Sequence, residues 1–179
     1  MHIRLAEPAD ISALNALIEQ SIRGLQTNDY TPAQIEGALG HALGLDTQLI
    51  ADRHYFVAES EDGRLAACGG WSNRRTLFGS DHGPCREDDF LDPAVDAAKI
   101  RAIFVHPEFA RQGLGSRMLA HCEAAAVAAG FRRFEMGSTM TGIALYRLKG
   151  YADGELVQVP LPNGEHLPIL RMTKALPAG

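Results

Sequence analysis

The sequence predicts an α+β fold in which a mixed, mostly antiparallel, twisted sheet carries helices on both faces. Three observations predict it. Two polar turns, Glu61-Asp62-Gly63 and Asn163-Gly164, each join β-rich runs as hairpins. A strand–helix–strand crossover lies between residues 98 and 136. Near the N-terminus, Ile11, Leu14, Ile18, Ile22 and Leu25 recur at helical spacing and form one apolar stripe.

The elements follow in order. His2 to Leu5 is a short strand. Pro8-Ala9-Asp10 opens the first helix, with Asp10 as its expected N-cap. A second, weaker helix follows Thr31-Pro32, proline suiting the first helical position. His54 to Glu59 and Leu65 to Trp71 are the arms of the first hairpin. Residues 72–96, with the acids Glu87, Asp88, Asp89, Asp92 and Asp96, read as an exposed loop. Ala98 to Val105 is a strand rich in β-formers, stopped by His106-Pro107. A helix from about Gly113 to Ala129 buries Leu114, Met118, Cys122 and Ala125, and Gly130 fits its C-terminus. Phe131 to Met136 is a strand, Thr141 to Lys149 a short helix, and Leu156 to Leu161 with Leu167 to Met172 the last hairpin. Pro160, Pro162 and Pro168 put that hairpin at or near a sheet edge.

The 179 residues suit one domain spanning 1–179. With 46% hydrophobic and 22% charged residues and a net charge of −5, disorder is disfavoured, and so is a general binder of nucleic acid or anionic membrane. Cys68, Cys85 and Cys122 are odd in number and widely spaced, which fits buried thiols in a reducing compartment. No secretory leader is expected, and the longest apolar run, Ala124 to Ala129, is too short to span a bilayer, so a cytoplasmic protein is expected. Asp81-His82-Gly83-Pro84-Cys85 mixes metal-capable side chains but lacks a second half at ligand spacing, so no metal is expected.

The chemistry is concentrated in residues 103–119. A strand ends at Pro107, a short loop follows, and Gly113-Leu114-Gly115 opens a helix. The first N–H groups of such a helix lack internal partners and lie at its positive end, so they form a phosphate cradle to which Arg111 can add charge. The P-loop pattern is absent, because no Gly-Lys-Ser/Thr occurs. A nicotinamide-dinucleotide fingerprint has Gly113, Gly115 and Glu135 in its favour, but Met118 stands where its third glycine belongs.

Val105-His106-Pro107 followed by Gly113-Leu114-Gly115, with Ile143 to Tyr151 at the matching spacing, resembles the GCN5-related N-acetyltransferases, the GNAT family. Ala110 replaces the family's Arg or Gln, and Thr139 stands where many members have a pantetheine-contacting Asn. The resemblance implies a GNAT-like fold and acetyl transfer from acetyl-CoA to a primary amine, by direct attack in a ternary complex. It implies cofactor contacts from Ile103, Phe104, Val105, Arg111, Gln112, Gly113, Leu114, Gly115, Ser116 and Thr139, and Tyr146 as proton donor to the leaving CoA thiolate. Trp71, Arg74 and Arg75 follow the hairpin on the side where the family binds acceptors. The base is open among Glu135, Glu59, Asp81, His41 and water; Lys99 stands near the strand position where some members have a carboxylate. The expected acceptor is a small-molecule amine, with a protein amine and a homodimer left open. A non-catalytic acyl-CoA sensor on the same fold is the alternative.

Overall fold

The computed structural model describes residues 1–84 and 86–177, so Cys85 lies outside the described residues. Seven strands, β1 (His2–Leu5), β2 (Tyr55–Glu59), β3 (Leu65–Ser72), β4 (Ala98–Val105), β5 (Arg133–Thr139), β6 (Ala152–Pro160) and β7 (His166–Ala175), form one sheet in the order β1-β2-β3-β4-β5-β7-β6. Only β4 and β5 are parallel; every other neighbouring pair is antiparallel. The proline-bearing final hairpin supplies the edge strand β6.

Among the described residues, five α-helices cover the sheet: α1 (Ile11–Leu25), α2 (Pro32–Ala38), α3 (Thr47–Ala51), α4 (Leu114–Ala128) and α5 (Ile143–Leu148). Leu14, Leu17, Ile18 and Ile22 of α1 pack with Ile35, Leu49, Tyr55 and Val57 against one face. Met118, Leu119 and Cys122 of α4 pack with Phe56, Trp71, Phe134 and Tyr146 on the other. The alternation Tyr55, Phe56, Val57, Ala58 between the two layers is the period-2 pattern of a strand buried on both sides.

Three details differ from the sequence reading. Asp10 sits in a 3-10 turn and does not cap α1; its carboxylate accepts the Glu7 N–H and two bonds from Arg4. The five-residue α3, capped by Asp46, is too short to give a periodic signal. Residues 73–97 are not simply exposed, since Thr76, Ser80 and Leu91 are buried anchors that draw the loop onto the body.

That loop is held by a buried guanidinium. Arg101 and Asp46 are each 3% exposed, and Arg101 donates to Asp46 Oδ2 at 3.0 Å, to the Thr76 carbonyl at 3.1 Å and to the Gly79 carbonyl at 2.9 Å. One side chain of β4 thus ties the α3 entry to the loop between β3 and β4.

β4 also carries an irregularity. Opposite it, β3 advances two residues from Cys68 to Gly70 while β4 uses three, Arg101 to Phe104. The extra residue is a β-bulge, with Ala102 at φ 50°, and the Ala102 carbonyl accepts the Tyr55 hydroxyl at 2.8 Å. Gly69 faces the bulge; a Cβ there would lie 2.8 Å from both Ile103 Cγ1 and Met118 Cγ, so only glycine leaves room.

Asp46→Ala should lower stability by about 3–5 kcal/mol, because it leaves Arg101 buried without a counter-charge. The urea midpoint, read with an unchanged m-value, checks this. The bonds from Arg4 hold the Asp10 carboxyl below its usual range, so its contribution is complete above about pH 4 and disappears as pH falls through the lowered value. The melting-temperature gap between the natural chain and Arg4→Leu should therefore narrow below about pH 4.

Candidate active site

The ladder between β4 and β5 holds only two Cα pairs, Ala98–Phe134 and Lys99–Glu135. Beyond them the strands part, and the bulge at Ala102 carries β4 away. The gap is a cleft of about 70 Å³. Ile100 to Phe104 form one wall, Met136 to Thr139 the other, and Tyr146 closes one side. The opposite side comes from the loops: Ala42, Leu43 and Gly44, then Leu77, Phe78 and Gly79, with Gln26 at the end of α1.

The strand leads directly to the expected cradle. After Val105, His106 accepts the Glu108 N–H on Nδ1, and a 3-10 turn, Pro107–Phe109, reverses the chain. Arg111 has φ 61° and Gly113 φ 77°, ψ 5°. A Cβ at Gly113 would meet nothing within 4 Å, so glycine is needed there for its left-handed backbone and not for space. The first backbone bond of the helix runs from Arg117 N to Gly113 O. Among the described residues, the N–H groups of Gln112, Gly113, Leu114, Gly115 and Ser116 have no backbone partner. Alternating left-handed residues with free N–H groups at a helix start make an anion nest. The start of α4 packs beside the end of β4 and α5: a Cβ at Gly115 would lie 3.4 Å from Leu145, the residue beside Tyr146, and 3.7 Å from Val105.

Ile103, Phe104 and Thr139 line the cleft; Val105 follows Phe104 along the chain without lining it, and Arg111, Gln112 and Gly113 are exposed in the turn that leads to the buried Leu114. These residues and the nest fit an elongated ligand that carries a phosphate group at one end and reaches between two strands with the other. Tyr146 is buried among apolar neighbours, with its ring edge-on to Tyr151 at 5.9 Å, and burial pushes its phenol above the usual value.

The three acceptor-side residues lie outside the cleft. Trp71 is 4% exposed and belongs to the α4 layer, stacked on His54 with ring centroids 4.0 Å apart. Arg74 is consumed by Asp52, at 2.7 and 3.0 Å, and lies over Phe90. Arg75 lies near Asp96 in a different depression, lined also by Lys99, Glu135 and Arg171. None of the three reaches the cleft, because the chain folds back after Ser72 and presents the later residues Leu77, Phe78 and Gly79 instead. The sequence reading missed these, together with Gln26 and Arg101; their approach depends on contacts across many residues and leaves no local signal.

The side-chain candidates for a base also lie elsewhere. Glu135 is bound by Lys99 and Arg171 at the far end of β4 from the nest, which removes it as a ribose-binding acid too. Glu59 pairs with Arg4, and Asp81 accepts the N–H and hydroxyl of Thr47. His41 is not among the lining residues, which include no Asp, Glu or His. Asp81 and His82 belong to no group of three metal-capable side chains among the described residues. No helix among the described residues is long and apolar enough to cross a membrane.

A sequence model described as the acetyltransferase (GNAT) family matches residues 20–151. Curated proteins give no match by sequence. The structure is similar to a GCN5-related N-acetyltransferase from Rhodopseudomonas palustris, with TM-score 0.71, 20% identity and 98% of this chain and 95% of that one covered. It is similar to a phosphinothricin acetyltransferase from Sinorhizobium meliloti in complex with acetyl-CoA (TM-score 0.65, 21% identity, 99% and 89% covered). It also resembles the PaiA N-acetyltransferase from Thermoplasma acidophilum in complex with coenzyme A (TM-score 0.64, 12% identity, 97% and 98% covered). At these identities the likeness speaks for the fold.

Gly113→Ala should cost about 1–2 kcal/mol from the left-handed backbone alone. It should also weaken CoA binding by distorting the nest. Urea unfolding and calorimetric titration with CoA measure the two effects separately.

Proposed function

The chain belongs to the GNAT acetyltransferase family, and from that premise we propose that it is an N-acetyltransferase moving an acetyl group from acetyl-CoA to a primary amine. The observation that carries this reading is an anion nest at Gly113 that follows directly, along the chain, on the strand that walls a cleft between two parted parallel strands. Bound acetyl-CoA supplies the thioester carbonyl that the amine attacks. The free N–H groups from Gln112 to Ser116 would hold its pyrophosphate, with Arg111 adding charge at the rim. Ile103, Phe104, Val105 and Thr139 would receive the pantetheine arm along β4 and β5.

The amine attacks directly in a ternary complex, without an acyl-enzyme. The two thiols among the described residues support that reading, since Cys68 and Cys122 are both buried, and burial pushes the Cys68 thiol up to about 12. Tyr146, whose side chain lines the cleft, donates its phenolic proton to the departing thiolate. The cleft lining holds no carboxylate or imidazole, so the amine's proton leaves through water. A small-molecule primary amine is the proposed acceptor. A non-catalytic acyl-CoA module is the second reading, and the same lack of a side-chain base favours it. Thiol release with any amine would end it.

Acetyl-CoA or CoA at 100 times its dissociation constant should stabilise the protein by about 2.7 kcal/mol, and NAD should not. Tyr146→Phe should lower turnover by about 10²–10⁴ while keeping that thermal shift. Turnover unchanged at every pH would remove Tyr146 from the reaction.

A further inference from the structure

Gln26 is the one cleft residue whose polar side chain has an unused buried atom. It is 5% exposed, and its Oε1 has no hydrogen-bond partner. A folded chain ordinarily satisfies a buried amide oxygen, so an orphan that lines a cleft marks a place for a donor from outside the chain. Two other polar side chains there have partners: Ser138 Oγ donates to the Thr139 carbonyl at 2.8 Å, and Arg101 is committed to Asp46, Thr76 and Gly79, which leaves the hydroxyls of Thr139 and Tyr146 beside the Gln26 amide.

Gln26 is also fixed in place. Its carbonyl accepts the N–H groups of Asp29 and Tyr30 at 3.1 and 3.0 Å. The Tyr30 hydroxyl donates to the Pro168 carbonyl at 2.7 Å and accepts the Met140 N–H at 2.9 Å. The turn that carries Gln26 is therefore pinned to β7 and to the residue following β5. The backbone that carries the amide is thus fixed before a ligand arrives, and only the Gln26 side chain remains to be ordered on binding.

We propose that Gln26 is the acceptor-binding residue, its Oε1 receiving an N–H of the incoming amine. This assignment rests on the transfer reaction proposed above. It also narrows the acceptor. Among the described residues, the only charged side chain lining the cleft is a guanidinium, already balanced by Asp46, and the lining includes no acid to hold an ammonium. A lining without a carboxylate gives an ammonium no counter-charge, so the chain selects amines that are substantially unprotonated near neutral pH. An α-amino group, with a pKa of about 8, meets that condition better than a lysine-type amine at about 10.4.

The test uses thiol release from acetyl-CoA with glycinamide and n-butylamine as probes, on the natural chain and on Gln26→Leu, Gln26→Met and Gln26→Glu. Glycinamide should be the better substrate at pH 7. The Leu and Met variants should raise its KM about tenfold, the loss of one hydrogen bond, with the acetyl-CoA thermal shift unchanged. Gln26→Glu keeps an oxygen in place and should recover most of that loss. Should the Leu variant not fold, Met, which matches the length of Gln, carries the comparison. An unchanged KM in a folded Leu or Met variant overturns the assignment and leaves the transfer reaction standing. Preference for n-butylamine overturns the selectivity. A natural chain that binds acetyl-CoA but releases no thiol with either amine overturns the transfer reading, and this assignment with it.

Discussion

Strands β4 and β5 pair at Ala98 and Lys99 and then separate, and the rest of the site is arranged around that separation. Its cause is local to β4. The extra residue near Ala102 bends the strand, and the bend is held by the Tyr55 hydroxyl on one side and by the space left at Gly69 on the other. Parting two central strands gives up ladder hydrogen bonds in the middle of a sheet. The two apolar layers, α1 to α3 on one face and α4 with α5 on the other, hold the sheet together across that interruption. The same bend aims the end of β4 at the turn where Gly113 starts α4, so the cleft and the nest arise from one departure from regular geometry.

A second constraint works at right angles to the first. The loops that wall the cleft are mostly irregular and carry carbonyls that no strand or helix satisfies. Arg101 answers two of them, at Thr76 and Gly79, while Asp46 supplies its counter-charge. Burial disfavours the charged guanidinium, and the Asp46 carboxylate opposes that effect. A hydrophobic residue at position 101 would remove the charge but strand the carbonyls, which explains a buried ion pair in a place where apolar packing alone would otherwise serve.

The parts legible in the sequence were those with local causes. The crossover around 98–136, both hairpins and the Gly113 turn each depend on residues within a few positions of one another, and each stands where the spacing put it. Strand ends were less legible: β6 begins at Ala152 and not near Leu156, because its start is set by pairing with β7. The acceptor wall was legible only as a region. Trp71, Arg74 and Arg75 belong to the expected stretch, but an aromatic on a strand is claimed by the core, and an arginine beside Asp52 is claimed by its neighbour. Gln26, Phe78 and the Arg101–Asp46 pair come together across separations such as the 55 residues between Asp46 and Arg101, which no window of sequence can display.

The nest at Gly113 grips with the peptide backbone, and that has a consequence for how such a protein can change over time. Main-chain N–H groups are the same whatever side chain follows them, so positions such as Ala110, Arg111 and Gln112 can drift while the grip persists, provided the turn keeps its glycine. The wall opposite is built from side chains and loop lengths, where each replacement alters what fits. One half of the site is thus conservative by construction and the other open to revision. A lineage of such proteins can exchange one acceptor for another without ever rebuilding its hold on the donor.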